Sequence, residues 1–247
     1  MPTYIFISIK MDLNHLANLQ KQWATKVIIP PDNAGYMPQP DDIIFSLDIQ
    51  YVSDTAFVGL DIQRYTGERI GTYVGQTAVG MEYVSQFFCF REGPPLLKMI
   101  NFVQQHFNIF PDLLITDGHG IAHPRRFGIA CWLGVQTAMP VIGCAKQTLL
   151  EHEGVLGIKR GDWLPVWLDN EMVGKVLRTQ NGIKPVFVSA GHQITLSTAA
   201  DMILYLSPNY RICEPLRRAD QAARAIASGK THRGIMFLEN IDAVTSF

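Results

Sequence analysis

The stretch LLITDGHGIAHPRRFGIA at residues 113–130 decides the fold of this chain. Its apolar run 113–115 stops at Thr116 and Asp117, a glycine-rich loop follows, and a helix-like apolar pattern resumes after Arg126. This order predicts a buried strand, a tight loop and a helix, as in α/β proteins. Such proteins gather ligands at the carboxyl ends of parallel strands, so Asp117 is a candidate site residue. An Asp-Gly turn without a ligand is the alternative.

A glycine and two basic residues accompany this carboxylate. Gly118 follows it directly, and Arg125 and Arg126 come later in the same loop. Two guanidinium groups beside an acidic, glycine-lined pocket suit an anionic substrate whose contact with the protein is mediated by a metal ion. We therefore predict that these three residues contact substrate.

Composition limits the class of protein. A chain of 247 residues that is 47% hydrophobic can bury a sizeable core. Because its net charge is only −1, any contact with nucleic acid must come from a local patch of basic residues. The four cysteines occur singly, without a C-x-x-C pair, which argues against a zinc cluster or a disulfide scaffold and favours a reducing, cytoplasmic location. We expect no signal peptide and no membrane association, since no apolar run approaches the roughly 18 residues of a membrane span.

Apolar periodicity predicts the secondary structure along the chain. A packing helix begins after an N-cap at Asp12 and is ended by the segment 30–35, and a proline-containing linker follows at 37–42. The predicted strands are 42–51, 56–65, 70–79, 113–117, 140–145, 162–168, 172–178 and 185–189. The further predicted helices are 94–107 with a proline in its first turn, 124–138, and 197–206 capped by Ser197 or Thr198.

Hairpin turns make the first three strands antiparallel, whereas crossover helices make the following strands parallel. The predicted fold is therefore an α/β, ribonuclease H-like mixed sheet with helices on both faces. We divide the chain into an N-terminal extension with its packing helix, 1–41, and the ribonuclease H-like domain, 42–247. The two parts are expected to form a single domain overall.

Three acidic residues from separate parts of the chain meet in such a fold. The first and fourth strands are neighbours, so Asp48 and Asp117 would face each other, and Glu92 would close a third side from the turn before its helix. Like charges this close repel, and oxygen ligands without cysteine or histidine suit Mg²⁺, with Mn²⁺ as a substitute. Lys146 could neutralise transition-state charge there; a solvated lysine at a strand end is the alternative.

Several motifs in the same order resemble the endonuclease V family, the deoxyinosine 3′-endonucleases, across residues 46–220. They are FREGP at 90–94, TDGHGIAHPRRFGIA at 116–130, GCAKQ at 143–147, SAGHQIT at 189–195 and EPLRRAD at 214–220. The resemblance implies a ribonuclease H-like fold and Mg²⁺-dependent cleavage of a nucleic-acid strand near a deaminated base. That base is typically inosine, with the cut on its 3′ side at the second phosphodiester.

The resemblance also implies roles for individual residues. Asp48, Glu92 and Asp117 match the metal-binding carboxylates of the family, and Asp220 matches a further ligand near the second metal. His123 and Lys146 match positions that support the substrate phosphate or the attacking water. His192 lies in a family motif and is predicted to contact substrate, although a histidine beside glycine is more often a structural hydrogen-bonding residue.

The chain departs from the family at the recognition wedge. Where family members have Pro-Tyr-Ile-Pro followed by Gly, this chain has Glu82, Tyr83, Val84, Ser85 and Gln86. Tyr83 is kept and can stack in the gap left by an everted base. The lost prolines and glycine put lesion choice and affinity in doubt more than cleavage chemistry.

We therefore expect a monomeric, cytoplasmic DNA-repair endonuclease that acts on inosine-containing DNA, with RNA left open because 2′-hydroxyl contacts cannot be placed from sequence. Two alternatives stay open. One is a binder of modified or branched nucleic acid that does not cut. The other is a different ribonuclease H-like nuclease.

Overall fold

The computed structural model describes residues 12–32, 34–230 and 234–242, so the first eleven residues of the predicted extension lie outside it. Its strands are β1 Ile43–Val52, β2 Thr55–Arg64, β3 Arg69–Ala78, β4 Leu113–Thr116, β5 Val141–Ala145, β6 Trp163–Leu168, β7 Glu171–Leu177, β8 Val186–His192 and β9 Ile235–Leu238. Its helices are α1 Leu13–Ala24, α2 Phe88–Phe107, α3 Ile129–Thr137, α4 Leu196–Tyr205 and α5 Glu214–Ala227.

The strands form one mixed sheet in the order β6-β7-β8-β5-β4-β1-β2-β3-β9. The strands β1, β2 and β3 are antiparallel, and β4 and β5 continue the sheet parallel to β1. This confirms the predicted mixed α/β sheet. The strands β6, β7 and β8 complete the sheet with antiparallel pairings. The tight turn at Asp169 and Asn170, both with positive φ, joins β6 to β7, and so short a turn can connect only antiparallel neighbours.

Alternate residues of β1 separate the two faces of the sheet. Phe45 and Leu47 pack in a core that includes residues of α2 and α3, whereas Ile44 packs in a second core with residues of α4 and α5. Each face is thus covered by helices, as the sequence predicts. Because β1 is buried on both faces, it is a fixed platform for the polar residue it carries, Asp48.

Helix α2 begins at Phe88 rather than at Pro94, so its predicted start is wrong. Pro94 and Pro95 lie inside the helix, although an interior proline costs about 3 kcal/mol. One face of the helix, including Cys89 and Leu96, is buried in the core, and a rule based on local sequence does not include such tertiary packing. Glu92 consequently lies within the helix instead of in the turn before it.

The other helices begin as predicted at α1 and differently from the prediction at α3 and α4. Asp12 caps α1 as predicted and accepts hydrogen bonds from the N–H groups of Asn14 at 3.0 Å and His15 at 3.2 Å. Helix α4 is capped by Thr195, whose hydroxyl accepts from the N–H of Thr198 at 3.1 Å, rather than by the predicted cap residues. Helix α3 begins at 129 instead of 124, and α5 and β9 had no counterpart among the predicted elements.

Helix α5 lies in direct backbone contact with the sheet. A Cβ added at Gly59 on β2 would lie 2.1 Å from the carbonyl oxygen of Ala219 on α5. Beside this contact, Arg218 donates two hydrogen bonds to the fully buried Asp61, at 2.9 and 2.6 Å. The glycine and the ion pair together fix the position of α5, and therefore of Asp220 on it.

The four cysteines are buried free thiols, in agreement with the absence of a disulfide scaffold. Over the described ranges, the helices are all too short or too polar to cross a bilayer.

Replacing Gly59 by alanine should push α5 away from β2. We expect Gly59→Ala to lower the free energy of unfolding by about 1–3 kcal/mol, measured by thermal or urea denaturation. Gly80→Ala is the control, because a Cβ there meets nothing within 4 Å. Equal stability of Gly59→Ala and the wild type would show that the contact between α5 and the sheet is not tight.

Candidate active site

A cleft of about 560 Å³ opens at the carboxyl ends of β4 and β5. Asp48 from β1, Glu92 from α2 and Asp117 from the end of β4 all line it. Leu47 is in register with Thr116 in the parallel pair of β1 and β4, so the two aspartates that follow them lie side by side. The structure therefore places the three carboxylates that were predicted to meet on the wall of one cleft.

Lys146, the first residue after β5, lies among the acidic side chains. Its Nζ atom is 2.5 Å from Asp117, 3.7 Å from Asp48 and 3.9 Å from Asp220. Burial would lower the pKa of the Lys146 ammonium, but the charges of Asp117 and Asp48 outweigh burial and raise it. Lys146 thus stays charged and partly balances the acidic cluster.

One ammonium is not enough to balance four carboxylates. Burial, and then the charge of Asp117, raise the pKa of Asp48 from 3.8 to about 8. The same two causes raise the pKa of Glu92 from 4.5 to about 8. Burial also raises the pKa of Asp117 itself. These directions mean that the folded protein would gain stability from protons or from further cations at this place.

The donor chemistry of the cluster fits a hard divalent cation. The Oδ2 atom of Asp48 is buried and has no hydrogen-bond partner among the described residues, so it is available as a ligand. The cluster offers carboxylate oxygens without cysteine, which suits Mg²⁺ better than zinc. As they stand, no three acidic, histidine or cysteine side chains of the described part of the chain converge closely enough to hold one ion. The Lys146 ammonium lies between the carboxylates instead.

Asp220 approaches the cluster from α5. Its Oδ1 atom accepts hydrogen bonds from Gln50 Nε2 at 3.2 Å and Arg224 Nε at 2.9 Å. Neither partner was singled out from the sequence. The spacing of Asp220 and Arg224, four residues apart on a helix, was a signal that could have identified the second of them.

Tyr51, near Glu92, is a further residue of the site that was not predicted from the sequence. The hydroxyl of Tyr51 is buried without a hydrogen-bond partner in the described ranges, and the Arg91 guanidinium lies 4.2 Å from the centre of its ring. Burial, and then the charge of Glu92, raise the pKa of Tyr51. The tyrosine therefore remains a neutral hydrogen-bond donor close to the carboxylates.

The rim and floor of the cleft contain two more of the predicted residues. Tyr83 is 58% exposed at the rim, and its ring packs edge-on against Phe88 with centroids 4.9 Å apart. Gly118 lines the floor with φ +138°, and a Cβ there would lie 2.4 Å from the Ile129 side chain. His119 also lines the floor, where burial lowers its pKa to about 4 and keeps it neutral.

The side chains of the two predicted arginines lie outside the cleft. Arg125 donates to Gln20 and Gln86, and Arg126 donates to Glu171 and to the carbonyl oxygen of Leu168. Neither arginine lines the cleft. The guanidinium groups of both arginines donate to other parts of the protein, because the loop between β4 and α3 directs their side chains away from the cleft.

The two histidines are also engaged with the backbone. Nδ1 of His192 accepts from the N–H of Ile28 at 3.1 Å, and this residue lies outside the cleft. His123 does line the cleft, but its Nδ1 accepts from the N–H of Arg125, so its Nε2 carries the hydrogen and donates to the Gln86 carbonyl at 3.1 Å. Burial lowers the pKa of His123 to about 4. Both histidines are thus hydrogen-bonded to the backbone, and their roles at the substrate stay predictions.

Comparison with known proteins shows the family of the chain. A family model described as Endonuclease V matches residues 23–221. An endonuclease V of Roseiflexus castenholzii is 39% identical over 185 residues, which are 74% of this chain and 82% of that protein.

Solved structures are similar as well. The crystal structure of the endonuclease V of Streptomyces avermitilis has a TM-score of 0.78 and 32% identity, and covers 88% of this chain and 94% of its own. An endonuclease V of Ciona intestinalis, solved in complex with a 24mer DNA containing an inosine, has the same fold, with a TM-score of 0.77 and 23% identity over 87% of this chain and 98% of its own. This chain therefore belongs to the endonuclease V family.

Proposed function

We propose that this protein is a metal-dependent endonuclease that hydrolyses a phosphodiester on the 3′ side of an inosine in a DNA strand. One observation carries the proposal: acidic side chains from β1, α2 and β4 line a single cleft, and Lys146 in that cleft lies within 4 Å of Asp48, Asp117 and Asp220 of α5. Membership of the endonuclease V family supports the reaction class, and the Ciona intestinalis relative bound to inosine-containing DNA supports the substrate.

We assign Asp48, Glu92 and Asp117 as the ligands of a divalent cation, Mg²⁺ with Mn²⁺ as a substitute, and Asp220 as a ligand near a second one. Such a cation lowers the pKa of a bound water and compensates charge on a phosphate. The Oδ2 atom of Asp48, which has no hydrogen-bond partner among the described residues, and the raised pKa values of Asp48 and Glu92 support this assignment.

Lys146 has two roles in this proposal. Without substrate, its ammonium compensates the charge of Asp117 and its neighbours at the distances given above. In the complex, the same ammonium lies close enough to the carboxylate cluster to stabilise the negative charge that develops on the phosphate. A cation that remains protonated is required for that task, and the raised pKa of Lys146 provides it.

We assign base recognition to the part of the cleft below Tyr83. Its volume of about 560 Å³ lies within the range of small-molecule sites, and Tyr83 offers an exposed ring at the rim on which a base can stack. The exposed Glu82 next to it places a negative charge near the strand and should weaken binding to a polyanion.

Metal binding is testable without any cleavage. Because the folded-state pKa of Asp48 is raised from 3.8 to about 8, stability from this group falls as the pH rises from about 4 to about 8 without divalent cations. At pH 8, Mg²⁺ at about 100 times its Kd should raise the Tm of the wild type by roughly 5–10 °C. The Asp48→Asn variant should gain much less, as measured by calorimetry.

The exposed Asp54 provides a matched control for this experiment. An Asp54→Asn variant should respond to Mg²⁺ like the wild type. If Asp48→Asn gained as much stability from Mg²⁺ as the wild type, the assignment of Asp48 as a metal ligand would be wrong.

Cleavage tests the reaction itself. With Mg²⁺ and a deoxyinosine-containing strand, we expect the wild type to nick the strand and the Asp48→Ala and Asp117→Ala variants to be slower by roughly 10²-fold or more. Asp54→Ala should remain active. A matched riboinosine strand in the same assay measures the choice between DNA and RNA.

Three results would count against this proposal. Tight binding of the inosine strand without product would favour a non-cutting binder. Equal rates on inosine and adenosine strands would indicate a different nuclease. Undiminished nicking by either aspartate variant would falsify the assigned site.

A further inference from the structure

Gln20 is a buried polar side chain on an otherwise accessible helix. It is the one residue of α1 that is buried, with 0% of its surface exposed, and it lies before the segment 23–221 that matches the family model. A buried amide without hydrogen-bond partners is destabilising. The partners of Gln20 therefore indicate why α1 carries it.

All the hydrogen-bonding groups of this amide are used. Its Nε2 donates to the carbonyl oxygens of Gln86 at 3.0 Å and Phe127 at 3.1 Å. Its Oε1 accepts from Nε of Arg125 at 2.5 Å. Gln20 thus joins α1 both to the loop after β4 and to the loop before α2.

The carbonyl oxygen of Gln86 is the centre of this network. It accepts from Gln20 Nε2, from His123 Nε2 at 3.1 Å and from Arg125 Nη2 at 2.9 Å. The side chain of Gln86 accepts a further bond from Arg125 Nη1 at 3.1 Å. We call Gln20, His123 and Arg125, with Gln86 as their common acceptor, the Gln86 clamp.

The clamp holds a strained position in a loop that has little rigidity of its own. Gln86 has φ +67°, a left-handed conformation that is unfavourable for a residue with a side chain. The segment 79–87 contains Gly80 and no proline, so its own sequence does not restrict it. Donors from two other parts of the chain, helix α1 and the loop between β4 and α3, fix it from outside instead.

This loop carries Tyr83 to the rim of the cleft, and Gln20, Gln86 and His123 themselves line the cleft wall. We infer that Gln20 is a positioning residue for base selection: through the Gln86 clamp, helix α1 holds the Tyr83 loop in the conformation that accepts the base. The inference rests on the proposed function for the identity of the base. Gln20, which precedes the segment 23–221 matched by the family model, would thus contribute to recognition of the base, although it is not one of the carboxylates.

Hydrogen exchange and kinetics together test the clamp. We expect Gln20→Ala to speed amide exchange in residues 81–87 by roughly 10-fold, because the loop loses the interactions that close it. The same variant should raise KM for the inosine strand by about 10-fold, and leave kcat within about 2-fold, since the carboxylates and Lys146 are untouched. Its preference for inosine over adenosine strands should fall.

Two further variants make the test specific. Gln22→Ala, on the exposed side of the same helix, is the matched control and should behave like the wild type. Gln20→Met keeps the volume of the side chain and removes its hydrogen bonds. It should show the faster exchange and higher KM expected of Gln20→Ala, and it replaces Gln20→Ala in the test if the alanine variant does not fold. Thermal denaturation identifies any variant that does not fold.

The outcomes separate this inference from the proposed function. If the wild type does not nick an inosine strand, the proposed function fails, and the exchange of residues 81–87 still decides whether the clamp holds the loop. Wild-type exchange in that loop in folded Gln20 variants would overturn the inference. So would a fall in kcat with KM and base preference unchanged.

Discussion

Repulsion between buried carboxylates is the constraint on which the rest of this structure depends. Asp48 and Asp117 lie side by side because β1 and β4 are parallel neighbours in register, and Asp220 adds a further negative charge from α5. In water such charges would separate, but each is fixed to a buried backbone element. The Lys146 ammonium and, in our proposal, divalent cations compensate the resulting charge.

The elements around the cluster are built to hold these groups in place. Helix α2 continues through two interior prolines and begins before Glu92, so Glu92 is fixed on a helix rather than on a loop. Gly59 lets α5 approach the sheet closely enough to bring in Asp220. The recognition side is held differently, by hydrogen bonds that converge on the carbonyl of Gln86 from distant parts of the chain. Cleavage and base selection would thus depend on separate supports.

Much of this arrangement could be predicted from sequence where the signal was local. Strand patterns and short turns gave the mixed sheet, and the sheet placed Asp48 beside Asp117 and Lys146 next to both. The start of α2 could not be predicted, because tertiary burial outweighed two prolines. The orientations of Arg125 and Arg126 depend on acceptors such as Gln86 and Glu171, which lie far away in sequence, so adjacency to an acidic loop was not a sufficient signal.

The most direct measurement of the central claim is the anomalous scattering of Mn²⁺ in crystals of the protein grown with that ion. The account predicts an anomalous peak bounded by carboxylate oxygens of Asp48, Glu92 and Asp117. Lys146 should no longer lie between them. Crystals in which the ion binds elsewhere, with Lys146 still paired to Asp117, would contradict it.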